Sequence, residues 1–222
     1  MNIYHGSRQI VKTPEYGKGK PYNDYGQGFY CTENLDMATE WAVELERDGF
    51  ANCYELCMDH LKVLNLCDGE FSILGWLAIL LENRYFDTTS LIAAEAKEYI
   101  LTHFQVDYKT ADVIIGYRAD DSYFSFAQDF LSNTISLRQL NTAMHLGNLG
   151  EQIVLKSRKA FGQIEYLGFE AAESEIWYPR KKERDENARR NYFDSRNKRR
   201  KDDLFISQIM DEEMSEYDLR LS

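Results

Sequence analysis

Tyr25-Gly26-Gln27-Gly28-Phe29-Tyr30-Cys31-Thr32 is the stretch on which the reading of this chain turns. Two glycines precede an aromatic, apolar run. That pattern allows either close backbone approach to a ligand or a β-bulge, and the run itself reads as a short strand. Directly after it the period changes. Met37, Ala38, Trp41, Ala42 and Leu45 fall on one face of a helix capped by Asn34 or Asp36 and stopping near Gly49. The spacing therefore predicts a strand-to-helix junction just after Tyr30.

Upstream, Ile3-Tyr4 and Gln9-Ile10-Val11 read as short strands between turn formers. Downstream, alternation predicts strands over 51–56 and 63–66, and helical spacing predicts helices over 75–84 and 90–104. Asp112-Val113-Ile114-Ile115-Gly116 reads as a buried strand, 122–132 and 136–145 as helices, the second capped by Ser136, and 151–156 as a strand. A short helix or turn over 157–166 leads into a further strand. From Trp177 the composition turns charged, which predicts a domain over 1–176 and a charged helical extension over 177–222. The fold class expected is α+β.

A chain of 222 residues that is 44% hydrophobic has enough apolar surface for one substantial core. It has no run of eighteen apolar residues and does not start with the charged-then-apolar pattern of a secretory signal, so it reads as cytoplasmic with no membrane partner. Cys31, Cys53, Cys57 and Cys67 are too few and too clustered for a disulfide framework and read as thiols in a reducing compartment. The net charge is −11 but unevenly placed. Residues 180–201 hold eleven Lys or Arg against four Asp or Glu, a local +7 that leaves −18 on the remainder.

Phosphate-cradling, dinucleotide-fingerprint, zincin and esterase motifs are all absent from the sequence. Cys53, Cys57, His60 and Cys67 are zinc-type ligands. However, the first two sit on an alternating stretch that reads as a half-buried strand, and buried thiols explain them better. His103 and His145 stand alone near helix ends, where a dipole or capping role is usual. The basic run, with Tyr192 and Phe193 beside it, is either a solvated helix face or a nucleic-acid footprint.

Three pieces exceed what folding requires: Tyr4-His5-Gly6-Ser7, the Tyr25–Thr32 stretch leading to Ala38 and Trp41, and Gly150-Glu151-Gln152-Ile153-Val154-Leu155-Lys156. Together they resemble the ADP-ribosyltransferase superfamily of the diphtheria-toxin and poly(ADP-ribose) polymerase type, whose signature is His, then Tyr with a second aromatic, then Glu. They look most like a bacterial domain family of that clan. Its members similarly read Asp-x-Ile-x-Gly-x-x-Ala-Asp-Asp, here Asp112 to Asp121, and Trp76-Leu77 with Asn83-Arg84 fit as well. The resemblance spans roughly residues 3 to 195.

The resemblance implies a split two-sheet β core with flanking helices. It also implies NAD as co-substrate, with ADP-ribose transferred to a protein or nucleic-acid acceptor and nicotinamide released. In such bacterial families it suggests a toxin of a toxin and antitoxin pair, hence a small neutralising partner. By resemblance, His5 contacts the adenosine ribose, the Gly6 backbone the nicotinamide amide, and Tyr30 stacks on the nicotinamide. Trp41 takes the place of a second tyrosine, and Ser7, Gly28 and Thr32 complete the NAD-binding set. Cleavage of the glycosidic bond passes through an oxocarbenium-like centre that a carboxylate stabilises. Aligning the apolar residues of the strand puts Glu151 in that place. Gln152 is the alternative, since neighbours on a strand face opposite ways. Chemistry favours Glu151; if Gln152 faces the site, charge stabilisation falls and transferase activity with it, or another carboxylate supplies the charge.

Overall fold

The computed structural model describes residues 1–119, 121–145 and 151–221. Within them the chain forms β1 (Asn2–Ser7), β2 (Phe29–Cys31), α1 (Leu35–Ala42), β3 (Gly49–Leu56), β4 (Val63–Asn65), α2 (Ile73–Asn83), α3 (Leu91–His103), β5 (Val113–Tyr117), α4 (Asp121–Leu131), α5 (Leu137–Met144), β6 (Glu151–Leu155), α6 (Arg158–Phe161), β7 (Ile164–Ala172), α7 (Ser174–Arg196) and α8 (Ile206–Asp211). The fold is α+β, the class expected from the sequence, and it holds two sheets. One sheet is antiparallel in the order β1-β3-β7, and the other has the order β2-β6-β5-β4. Only β4 and β5 run parallel, because α2 and α3 form the crossover between them.

The sheets pack face to face through Ile3, Tyr54 and Leu56 of the first and Cys31, Val113, Ile153 and Leu155 of the second. The opposite face of the second sheet, carrying Ile114 and Val154, is covered by α2, α3, α4 and α5. The apolar residues of β6 thus serve two cores in alternation, as period-2 geometry requires. The sheets are joined at one seam, where the Tyr4 amide donates to the Thr32 carbonyl at 2.8 Å and the Thr32 amide to the Tyr4 carbonyl at 3.0 Å.

Two local expectations are corrected. Residues 9–11 form no strand, because side chains take over their backbone bonds. The Val11 amide donates to Asn52 Oδ1, and the Tyr54 hydroxyl donates to the Val11 carbonyl. Helix α1 is capped by the Asn34 side chain on the Met37 amide, but it ends at Ala42. Val43 is extended and a Glu44–Arg47 turn follows, which leaves Leu45 64% exposed.

Residues 177–222 are not an appendage. Helix α7 rises from the end of β7. Ala188 and Tyr192 of α7, Ile206 and Ile209 of α8, and Met214 and Leu221 beyond it belong to the main core. Tyr192 stacks on Phe126 at 3.8 Å and donates to Asp129 at 2.5 Å. Glu40 of α1 pairs with Arg184 at 2.6 Å and 2.7 Å, and Lys181 donates to the Val43 carbonyl at 3.1 Å. The boundary at 176 marks a change of composition, not of domain.

Candidate functional site

A cavity of about 660 Å³ opens where β1, β2, β6, the 20–25 loop and α7 meet. His5 and Gly6 reach it from β1, Tyr30 from β2, Trp41 from α1 and Gln152 from β6. Its remaining walls carry Asp24, Arg84, Arg118 and Lys181 among others.

His5 Nδ1 lies 2.7 Å from the Tyr30 carbonyl. A carbonyl only accepts, so Nδ1 carries the proton and Nε2 is left as an acceptor. Burial lowers the His5 pKa, and the bond to Tyr30 offsets this only in part, so the ring is neutral at neutral pH. It rests against Phe29 with centroids 4.4 Å apart. The Tyr30 hydroxyl is engaged locally. It donates to the Gly26 carbonyl at 2.6 Å and accepts from the Tyr25 amide at 3.0 Å, so the phenol locks the 23–26 turn. Gly26 sits at φ +72, a left-handed conformation that glycine supplies without strain.

The β6 question is decided by register. Tyr30 pairs directly with Val154, so Tyr30 and Gln152, two residues along, lie on the same face of the sheet. Gln152 is buried and lines the cavity, whereas Glu151 is exposed and does not. The placement of Glu151 beside His5 and Tyr30 is thereby corrected. Gln152 Nε2 lies 2.9 Å from Asp24 Oδ2. Only the amide nitrogen can donate to a carboxylate, so the Gln152 carbonyl oxygen is the atom turned away from Asp24.

Asp24, only 5% exposed, is the buried carboxylate of the cavity. It accepts from Arg84 at 2.8 Å, from the Ala119 amide at 2.9 Å and from Gln152. Burial raises its pKa, and this outweighs the opposing pull of those three donors and of Arg118. Sequence reasoning missed Asp24 because it sits in a loop without period. The signals were the family-like pieces themselves, since Arg84 follows Asn83, and Arg118 and Ala119 lie inside the Asp112–Asp121 motif. Tyr117 of that motif offers its carbonyl to Tyr25 at 2.7 Å and to Trp76 at 3.3 Å, which ties the motif to the Tyr25 turn. Asp120 of the motif and Gly150 before β6 lie outside the described residues.

The other expected ligand-binding residues have structural roles. A Cβ on Gly28 would lie 2.6 Å from Val154 Cγ1, so this glycine admits the β6 side chain, not a ligand. Ser7 Oγ bonds the Gln9 carbonyl and Asn52, and Thr32 Oγ1 accepts from the Asn34 amide. A Cβ on Gly6 would lie 2.0 Å from the Ala38 carbonyl and 2.8 Å from Trp41 Cβ, so Gly6 lets α1 press onto β1 and sets Trp41 at the cavity. The Arg118 guanidinium stands 4.5 Å over the Trp41 ring. His103 and His145 each bond the carbonyl four residues back, as helix-end histidines do. Among the described residues no group of three or more His, Cys, Asp or Glu is placed to hold a metal.

The cavity lining carries six cations (Lys20, Arg84, Arg118, Lys181, Lys182 and Arg189) against Asp24 and Asp185, a net +4 within a chain of −11. Burial, then Arg118 and Arg184, push the Lys181 pKa down, and Glu40 and Glu44 oppose this only in part. Such a cleft favours a phosphorylated ligand. No helix among the described residues is long and apolar enough to cross a membrane. Comparison with curated proteins and with solved structures finds no match. One family model, described as Protein of unknown function (DUF3990), matches residues 1–166, which contain every residue named in this cavity except those of α7, and the chain belongs to that family.

Proposed function

We propose that the protein is an ADP-ribosyltransferase-type enzyme that binds NAD in this cavity and transfers ADP-ribose with release of nicotinamide. The observation that carries the reading is the convergence of His5, Tyr30, Trp41 and Gln152, which lie far apart in sequence, on one cationic cavity large enough for a dinucleotide. In this reading Arg118 and Lys181 hold the diphosphate, and neutral His5 accepts a ribose hydroxyl at Nε2. The Tyr30 and Trp41 rings bracket the nicotinamide. The glycosidic bond breaks with its electron pair leaving on nicotinamide. The Gln152 carbonyl, polarised by Asp24, faces the positive charge that develops on the ribose. Four free cysteines suit a reducing, cytoplasmic setting, and by resemblance a small neutralising partner accompanies the protein in the cell.

The test is nicotinamide release from NAD by the purified chain, with binding followed by calorimetry. His5→Ala and Tyr30→Ala are each expected to weaken NAD binding or turnover at least about tenfold. Gln152→Ala is expected to lower release about a hundredfold, the scale of one lost preorganised group, and Glu151→Gln to leave it within about twofold. Absence of NAD binding in the wild type would sink the proposal. A second reading, an NAD or ADP-ribose binding module without turnover, is favoured by the amide standing where the superfamily places a carboxylate. Binding without nicotinamide release would decide for it.

A further inference from the structure

The net +4 of the cavity exceeds what a dinucleotide diphosphate needs, since NAD carries two phosphate charges and one compensating pyridinium. The excess lies on α7, and it continues outward. Lys182, Arg189, Phe193 and Arg196 are spaced by seven, four and three residues, which puts them along one face of the helix over about 21 Å. Lys182 and Arg189 line the cavity, so the ridge starts at its mouth. Phe193 is 57% exposed among these cations and presents an aromatic face to solvent there.

The ridge ends in Lys198, Arg199, Arg200 and Lys201, and these are held in position. Asp203, buried, takes a two-point contact from Arg138 (Nε to Oδ1 at 2.7 Å, Nη2 to Oδ2 at 2.9 Å) and also binds the Arg200 amide at 2.7 Å. Arg138 also holds the Lys198 carbonyl at 3.0 Å. Acidic neighbours temper the charge, since Glu186 pairs with Lys182 at 3.8 Å, Asp185 with Arg189 at 3.1 Å and Asp129 with Arg196 at 3.6 Å. Even so, the whole segment keeps +7 against −18 elsewhere.

We infer that this face of α7 docks a single-stranded nucleic acid and leads it to the cavity mouth as the acceptor of ADP-ribose. The acceptor clause rests on the proposed function, whereas the docking clause stands without it. Charge complementarity selects a polyanion, because the segment carries +7 while the remainder carries −18. The exposed ring selects unpaired bases, which stack on aromatic faces regardless of sequence. In the transfer, a base nitrogen or a hydroxyl oxygen of the strand forms the new bond to the ribose anomeric carbon. The bond to nicotinamide breaks, its electron pair leaves with nicotinamide, and the acceptor's proton passes to water.

The test is anisotropy of a fluorescein-labelled single-stranded oligonucleotide with the full chain, across a salt series and without NAD. Expected are a slope of log affinity on log salt of about −3, for about four engaged cations, and a loss of about tenfold for Phe193→Ala. Lys198→Glu with Lys201→Glu should lose more, with melting curves unchanged for these exposed positions. Salt-insensitive binding, or Phe193→Ala binding like wild type, would overturn the docking. With radiolabelled NAD, label on the oligonucleotide supports the acceptor clause, and label only on lysate protein overturns it. Oligonucleotide binding with no NAD binding would refute the proposed function while leaving the docking intact.

Discussion

Asp24 is a buried carboxylate whose burial raises its pKa and which forms an ion pair with Arg84 at 2.8 Å. Asp24→Asn leaves that guanidinium facing a neutral amide. A broken buried pair costs about 3 kcal/mol or more, and the partial exposure of Arg84 brings this to about 2 kcal/mol, read as a shift in the urea midpoint. Lys156 is a second charge, half-buried. Its Nζ donates to the Tyr25 and Gln27 carbonyls, clasping the turn that positions Tyr30, and burial lowers its pKa to about 8. A folded pKa below the unfolded value means that the unfolded chain binds more protons between about 8 and 10.5, so stability rises with pH across that window. The neutral amine still has two hydrogens for two carbonyls. Melting temperature is expected to climb from pH 8 to 10 relative to Lys156→Met, and parallel curves would refute this. His5, Tyr30, Trp41 and Gln152 were legible as residue types in a known order. The choice between Glu151 and Gln152 was not, because alternation alone labels two faces without saying which one meets Tyr30. The Tyr30–Val154 register supplied that.

At the scale of elements, the contact of α1 with β1 decides where Trp41 stands. Gly6→Ala drives a methyl into the Ala38 carbonyl, and an overpacked contact of this kind costs about 1–3 kcal/mol. Because Trp41 moves with α1, the variant is expected to lose ligand affinity as well as stability, by calorimetry beside a urea curve. Helix α5 carries a capping box, in which Ser136 Oγ accepts the Gln139 amide at 3.3 Å and Gln139 Oε1 the Ser136 amide at 2.9 Å. Ser136→Ala should cost about 1 kcal/mol with the cavity unaffected. Periodic elements such as α3, α5, β5 and β6 were readable to within a residue or two because their signals are local. The end of α1 was not, since the extended Val43 leads into the Glu44–Arg47 turn and then into β3 at Gly49, and no helix-breaking residue stands there.

For the whole molecule, α7 belongs at once to the core and to the cavity wall. Removing residues after 172 would uncover the faces packed by Ala188, Tyr192, Ile206, Ile209, Met214 and Leu221 and strip Lys181 from the cavity. The truncated chain is therefore expected to lose cooperative unfolding and to bind a hydrophobic dye. A sharp melting transition at the wild-type temperature would contradict this. Composition suggested an extension because charge dominates α7, and its buried residues are too sparse to show a stripe. His5 comes from one sheet and Tyr30 and Gln152 from the other, while the Tyr4–Thr32 backbone pair and the His5–Tyr30 bond stitch the two together at that point. Anything that fills the cavity must therefore brace both sheets across this stitch. Occupancy becomes visible in deuterium uptake: the Tyr4 and Thr32 amides should exchange more slowly when ligand is bound, while those in the middle of β3 keep their rate.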